Sequence, residues 1–210
     1  MTTQEAKLVD RYRIQKLLGK GRSGLVYLAL DEQLNRPVTA KLLIANLISG
    51  SEAYLAEARV VANLDNPSIA PVYDSGHGED CIFVISRYVE GADLRTYSIS
   101  RRASAEESAR IIRTLAEALE VAHQKELHHL NLRPNKILVD TGDQPWVFAR
   151  DFIRAERFGG SDWIPGNPTY MSPEQVAGEE DVIGHVSDVF SLGVIFYEML
   201  TGHRPYKAVG

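Results

Sequence analysis

His129-Leu130-Asn131-Leu132-Arg133-Pro134-Asn135-Lys136 is the stretch on which the reading of this chain turns. It has the layout of a loop between two apolar segments of different period. Upstream, Ser104 to Leu127 is predicted as one helix. Ser104 and Glu107 have the spacing of a capping box, and Ile112, Leu115, Leu119 and Ala122 follow at helical intervals. Downstream, Ile137-Leu138-Val139 is a short apolar run suited to a buried strand.

The composition sets wide bounds. A chain of 210 residues holds one good core or two small lobes. An apolar content of 44% and a charged content of 24% are ordinary for a globular protein. The net charge of −5 gives no reason to expect nucleic acid or an anionic membrane as partner. Cys81 is the one cysteine; it cannot form an internal disulfide, and its apolar surroundings predict an inert thiol. Met1 to Tyr12 is polar, unlike a signal peptide. The longest apolar run, Val189 to Leu200, is too short to span a bilayer, so this portion is expected to be cytoplasmic.

Toward the N-terminus the chain alternates like a sheet. Tyr12 to Leu18 is a candidate strand. Gly19-Lys20-Gly21-Arg22-Ser23-Gly24 follows, and then Leu25 to Leu30, with Val26, Leu28 and Leu30 on one face and Leu25, Tyr27 and Ala29 on the other. The glycines thus join two strands. A dinucleotide-binding turn needs a helix there, which leaves a phosphate-covering hairpin or an ordinary hairpin with a flexible tip. Pro37 to Ile44 is a third strand, with Lys41 in an apolar run where an unpaired ammonium is costly to bury. Ser51 to Leu64 is a helix carrying Glu57. Ile69 to Tyr73 and Cys81 to Ser86 are two more strands, with Ser75 to Gly78 as the hairpin tip.

These stretches together resemble the protein kinases. The octapeptide has the frame of the kinase catalytic loop H-R-D-x-K-P-x-N, with His129 and Pro134 in register. The glycine hairpin is similar to G-x-G-x-x-G-x-V, and the Lys41 strand to V-A-x-K. Asp151-Phe152-Ile153 stands where the family has D-F-G. Gly166 to Glu174, Ser187 to Gly193 and Thr201 to Tyr206 match three later family motifs in order. Each motif alone is weak; their joint order over nearly the whole chain is strong, and the flavour is that of the bacterial, eukaryotic-like Ser/Thr kinases.

The resemblance implies an α+β, two-lobed fold. Residues 1–89 would form an antiparallel five-stranded N-lobe with one helix, and residues 90–210 a mainly helical, incomplete C-lobe. It also implies a nucleotide site: Gly19, Gly21, Gly24 and Val26 covering ATP phosphates, Lys41 holding them with Glu57 as its ion partner, and Thr39 on the adenine wall. Arg87 and Val89 would lie at the hinge between lobes, and Asp151 would be the ligand for Mg²⁺.

The catalytic positions depart from the family. Asn131 replaces the catalytic Asp, Lys136 the metal-binding Asn, and Arg133 the loop lysine. An amide cannot take a proton, and an ammonium has no lone pair for a metal. Arg133 keeps charge but not shape. Leu130, Asn167 and Ile153 replace the arginine that reads a phosphorylated loop, a threonine that bonds the catalytic Asp, and a flexible glycine. The expectation is therefore a pseudokinase, working by nucleotide-dependent or nucleotide-free binding with ATP as the candidate nucleotide and Mg²⁺ weakened, that engages a protein partner as a signalling or scaffold module. An active Ser/Thr kinase with atypical residues is the alternative. An unrelated small α+β binding protein would need seven ordered matches to be accidental.

Two further expectations follow. The helix Ser187–Leu200 is apolar on all sides and predicts burial all round, by a longer chain or by a partner. Glu174 lacks the arginine it pairs with in the family. His77, His123, His128, His185 and His203 show no metal-ligand spacing with cysteine and are taken as surface or packing residues.

Overall fold

The computed structural model describes residues 7–8, 11–20, 24–44, 51–78, 81–101, 103–140, 147–149 and 168–206. The chain divides into two compact units. One contains the chain up to Asn63 and Pro71–Tyr88; the other contains Leu64–Ala70 and the described residues from Val89 onward.

The first unit is a sheet of β1 (Lys7–Leu8), β2 (Tyr12–Lys20), β3 (Gly24–Asp31), β4 (Arg36–Ile44), β5 (Val72–His77) and β6 (Cys81–Arg87). Their order is β1-β2-β3-β4-β6-β5, and every neighbouring pair is antiparallel. Four of the long strands fall where the sequence placed them, β5 is displaced into its expected hairpin tip, and the two-residue β1 is added at one edge. Period two sends Ala29 of β3 and Val38 and Ala40 of β4 into one core with Tyr12, Phe83 and Ile85. Lys41 therefore projects from the other face of β4, with its Nζ 6.0 Å from the ring centre of Tyr54. Tyr54 belongs to α1 (Ser51–Ala62), which buries Tyr54, Leu55, Ala58 and Val61. The β3–β4 turn is held by Asp31, 1% exposed, which accepts from Arg11 Nε at 3.0 Å and Nη2 at 2.9 Å. These hydrogen bonds keep its carboxyl below the usual range, against the effect of burial.

The β5–β6 hairpin differs from its expected bounds. Ser75, Gly76 and His77 are strand, paired with Val84, Phe83 and Ile82. A Cβ on Gly76 would lie 3.1 Å from Phe83 Cζ, so the phenyl ring fills the space a side chain would take. The glycine that suggested a turn is a strand residue covered by its cross-strand neighbour.

Gly24 is a stricter case. It pairs with Leu43, and a Cβ there would meet the Leu42 carbonyl oxygen at 2.0 Å. That oxygen is backbone, so the strand itself must move. Gly24→Ala is expected to lower stability by about 1–3 kcal/mol, as overpacking does. Urea unfolding of the two proteins checks this; equal midpoints contradict it.

The second unit holds a small antiparallel sheet, β7 (Gly91–Asp93), β8 (Ile137–Asp140) and β9 (Val147–Ala149). Its helices are α2 (Leu94–Arg101), α3 (Ala105–His123), α4 (Pro173–Ala177) and α5 (His185–Thr201). Leu115, Leu119 and Ala122 of α3 are buried as their spacing predicted, while Ile112 is half-buried. Only half of the predicted capping box forms. Ser104 Oγ accepts from the Glu107 N–H at 3.1 Å, but the Glu107 carboxylate takes the Tyr97 hydroxyl instead of reaching back. α3 ends at His123 rather than Leu127, where Glu126 adopts φ 56° and the Leu127 N–H closes on the Ala122 carbonyl. α5 is not covered all round: Leu192, Val194 and Ile195 are buried, whereas Val186, Val189 and Leu200 are exposed. Among the described residues, no helix is long and apolar enough to cross a membrane.

Candidate functional site

The loop quoted at the outset is fixed by one buried carboxylate. Asp188 lies in the first turn of α5 and is fully buried. Its Oδ2 accepts from the His129 N–H at 2.8 Å, and its Oδ1 from the Leu130 N–H at 2.6 Å. His123 Nε2, at the end of α3, stands 2.9 Å from Oδ2. Burial alone would raise the pKa of this acid. The hydrogen bond from His123, the neighbouring His129 ring and the two backbone donors outweigh burial and hold it below the ordinary range. Asp188 is therefore an acceptor, and His123 is its donor.

Leu130 shows what this clamp does. Its φ is 54°, a left-handed conformation rare for a side chain of this kind. Asp188 takes its N–H, and Gln175 Nε2 of α4 donates to its carbonyl at 2.8 Å. Gln175 is 3% exposed and is fixed in turn by Ser172, whose hydroxyl accepts the Gln175 N–H at 3.4 Å and whose N–H reaches Gln175 Oε1 at 3.2 Å. Two helices thus over-determine one strained peptide, which aims the residues after it.

Those residues are the predicted chemical positions. Asn131 is half-buried, and its N–H donates to His129 Nδ1 at 3.3 Å. Arg133 is extended, with φ −164°, and precedes a 3₁₀ turn over Pro134–Lys136 in which the Lys136 N–H meets the Arg133 carbonyl at 2.8 Å. Lys136 is half-buried. The Arg133 Nε is buried and has no hydrogen-bond partner among the described residues. A buried guanidinium donor left open in this way suits an anion. Asn131, Arg133 and Lys136 therefore lie on one short, rigidly seated segment of the second unit.

The first unit carries the other predicted positions. Gly19 pairs with Val26, and Val26 pairs with Lys41 across β3 and β4. Thr39 lies two residues from Lys41 on the same face, opposite Leu28 and Ser86. Glu57 is half-buried one turn beyond Tyr54 on α1, so the ammonium of Lys41 is turned toward the helix face that bears Glu57. Arg87 ends β6 and is exposed; its N–H donates to the Pro71 carbonyl at 3.0 Å. Val89 is buried in the second unit, where the chain enters β7. Gly21, Asp151, Phe152, Ile153, Gly166 and Asn167 lie outside the described residues.

Two features escaped the sequence reading. Glu174 is not stranded: it accepts from Ser187 Oγ at 2.5 Å, which holds its carboxyl below the ordinary range. Gln175 positions Leu130. It stands three residues after Ser172 and just past Pro173, a capping-box spacing that was open to reading, although its second partner was not.

Residues 12–209 match the protein kinase domain family. The chain belongs to that family. It is 35% identical over 215 residues to the serine/threonine-protein kinase PknL of Mycobacterium bovis, covering 97% of this chain and 52% of PknL. It is 29% identical to the serine/threonine-protein kinase PrkC of Bacillus subtilis, covering 95% of this chain and 32% of PrkC. The chain thus spans about half or less of the length of these relatives. Among solved structures it is similar to the PknI kinase domain of Mycobacterium tuberculosis, with TM-score 0.79, 23% identity, and coverage of 99% of this chain and 80% of that one. Rad53 in complex with AMP-PNP gives TM-score 0.83 at 20% identity, with 98% and 52% covered. At these identities the structural likeness concerns the fold, a kinase fold with an antiparallel N-lobe sheet and helical second lobe.

Proposed function

We propose that this chain is a pseudokinase: a kinase-fold module that holds ATP without efficient turnover and engages a protein partner in signalling. The observation that carries the reading is the contrast within one loop. The frame around it is complete, with Asp188, His123 and Gln175 all engaged. The two residues it aims, Asn131 and Lys136, lack the proton acceptor and the oxygen ligand that phosphoryl transfer uses. Drift that had simply ruined the fold would not have spared the clamp.

Lys41 is the cation that the kinase family's pattern assigns to a nucleotide's phosphates. Lys41 lies mid-strand with its amine turned toward α1, and Arg133 has a buried donor left open. Bound Mg²⁺ would neutralise phosphate charge. Lys136 partly substitutes for that role by placing a fixed ammonium where the family has a metal ligand. Nucleotide binding is therefore expected to depend weakly on Mg²⁺. Thermal-shift titration with ATP, with Mg²⁺ and with chelator, followed by radiolabel transfer to a general acceptor protein, tests the proposal. Binding without transfer supports it; robust transfer by the unmodified chain rejects it in favour of an active Ser/Thr kinase.

Lys41→Met is expected to weaken ATP about 10- to 100-fold, the loss of a charge-assisted phosphate contact. Isothermal titration calorimetry checks this, and unchanged affinity would mean that Lys41 does not touch the nucleotide.

A further inference from the structure

Three pairs of adjacent residues close a triangle of polar contacts in the second unit. Ser187 and Asp188, in the first turn of α5, hold α4 and the loop respectively. Ser187 Oγ donates to Glu174 at 2.5 Å, and the Asp188 carboxylate accepts the His129 and Leu130 amides at 2.8 and 2.6 Å. Glu174 and Gln175, in α4, reach α5 and the loop, the second through Nε2 to the Leu130 carbonyl at 2.8 Å. His129 and Leu130 are the third pair. Ser187 and Asp188 are fully buried and Gln175 nearly so, so opening any side leaves a buried group unpaired.

The corner at the loop is a single peptide unit. Its carbonyl, that of Leu130, takes Gln175; its N–H, that of Asn131, donates to His129 Nδ1 at 3.3 Å. The second contact is the longer, so Gln175 is the firmer hold on the plane of this peptide. That plane decides where the Asn131 side chain starts. Leu130 offers no polar side chain and takes part through its backbone alone. Gln175 is not free to turn. Its Oε1 accepts the Ser172 N–H at 3.2 Å and the Ser172 hydroxyl at 3.4 Å, and its own N–H reaches Ser172 Oγ at 3.4 Å. Ser172 in turn ends a segment fixed to α5. The Tyr170 carbonyl accepts from Ser191 Oγ at 2.7 Å, and the Tyr170 hydroxyl donates to Glu198 at 2.5 Å. Pro168, Pro173 and Val176 are exposed, so this is the side of the triangle open to solvent.

We propose that Gln175 is a positioning residue through which residues 168–172 set the aim of Asn131. A shift of that segment moves Ser172, and Ser172 moves the Gln175 amide. The Leu130–Asn131 peptide turns with it, while Asp188 keeps the Leu130 N–H. The loop is thereby adjusted without being unseated. A ligand at the loop and one at the segment then alter each other's affinity by the same factor. The loop is that of the proposed pseudokinase, so the role of this coupling rests on that reading; the coupling itself does not.

Amide hydrogen exchange, followed by NMR on the full chain at constant pH and without nucleotide, is the test. Every side-chain contact of Ser172 given above is to Gln175, so Ser172→Ala acts on the loop only through that residue. It is expected to lower the protection of the Asn131 amide about tenfold and that of Leu130 by less than about threefold. Gln175→Glu at about pH 8 keeps an acceptor for Ser172 and loses the donor to Leu130. It is expected to give the same selective loss at Asn131, with the Ser172 amide within about twofold of the unmodified chain. Protection in the middle of α3 and α5 reports folding, and if Gln175→Glu lowers that as well, Ser172→Ala decides. Equal losses at Asn131 and Leu130 would mark a merely structural role and overturn the proposal. So would an Asn131 amide that Ser172→Ala leaves unchanged. Either failure leaves the pseudokinase reading standing, because no phosphate transfer is measured; transfer by the unmodified chain would remove that reading and leave the coupling in place.

Discussion

Asp188→Asn is expected to lower the folding stability of this chain by about 3–5 kcal/mol, a large share of what a domain of this size has. The substitution keeps shape and volume, so the loss is not one of packing. The carboxylate offers two oxygens to three donors: the amides of His129 and Leu130, and His123 Nε2. An asparagine offers one oxygen and one amine. Whichever way it turns, its amine faces a donor, and at least one buried N–H is left without an acceptor. Each such group costs about 1–3 kcal/mol. The left-handed Leu130 compounds the loss, because its φ of 54° is maintained by these contacts and by Gln175. Equilibrium urea unfolding measures the change, and a loss under about 1 kcal/mol would show that the clamp is not what holds the loop. The same carboxylate fixes a pH dependence. Its folded pKa is lowered, so its contribution is present in full above the unfolded value and is lost as pH falls through the folded one. Acid unfolding of the unmodified chain is thus expected to steepen below about pH 4, and the Asn variant to lack that component.

The N-terminal sheet was legible because one rule governs it. Alternation at period two separated Leu25, Tyr27 and Ala29 from Val26, Leu28 and Leu30, and the structure then shows which face is core, with Ala29 beside Val38 and Ala40. It failed at Gly76, where a glycine signals a turn unless an aromatic cross-strand partner covers it, and no local pattern reveals that Phe83 does so. The helices were legible in their apolar faces and less so at their ends. Ser104 caps α3 as expected, but Glu107 prefers the Tyr97 hydroxyl from α2, a contact between elements that capping rules do not include. Within the loop, the identity and order of Asn131, Arg133 and Lys136 could be read directly. What seats them could not, because Asp188, Gln175 and His123 come from three separate helices and converge only in space. The histidines illustrate the same limit. Spacing took His123 and His185 for packing or surface residues, and nothing in it shows that the two rings meet beside Asp188.

Asn131→Asp with Lys136→Asn is expected to raise phosphoryl transfer about 10²–10⁴-fold over the unmodified chain, the range a positioned base supplies. That corresponds to roughly 3–5 kcal/mol of barrier. The reason for changing both positions is that each fails for a different cause. Asn131→Asp alone restores a proton acceptor but leaves an ammonium where a cation should bind. At about 4 Å and an effective dielectric near 20, that repulsion is about 4 kcal/mol per unit charge. Lys136→Asn alone admits a metal and leaves no base. Each single variant is therefore expected to gain less than about tenfold, and the pair far more than the product of the two, because both groups act on one transition state. The frame needs no repair, since the loop is already seated by Asp188 and Gln175. Radiolabel transfer from ATP, with Lys41→Met added to the repaired chain as a control for contaminating kinase, measures the gain. A repaired chain as inert as the original would place the block elsewhere than at these two side chains. An unmodified chain as fast as the repaired one would mean that an amide and an ammonium suffice for the chemistry, and the pseudokinase reading would fall with it.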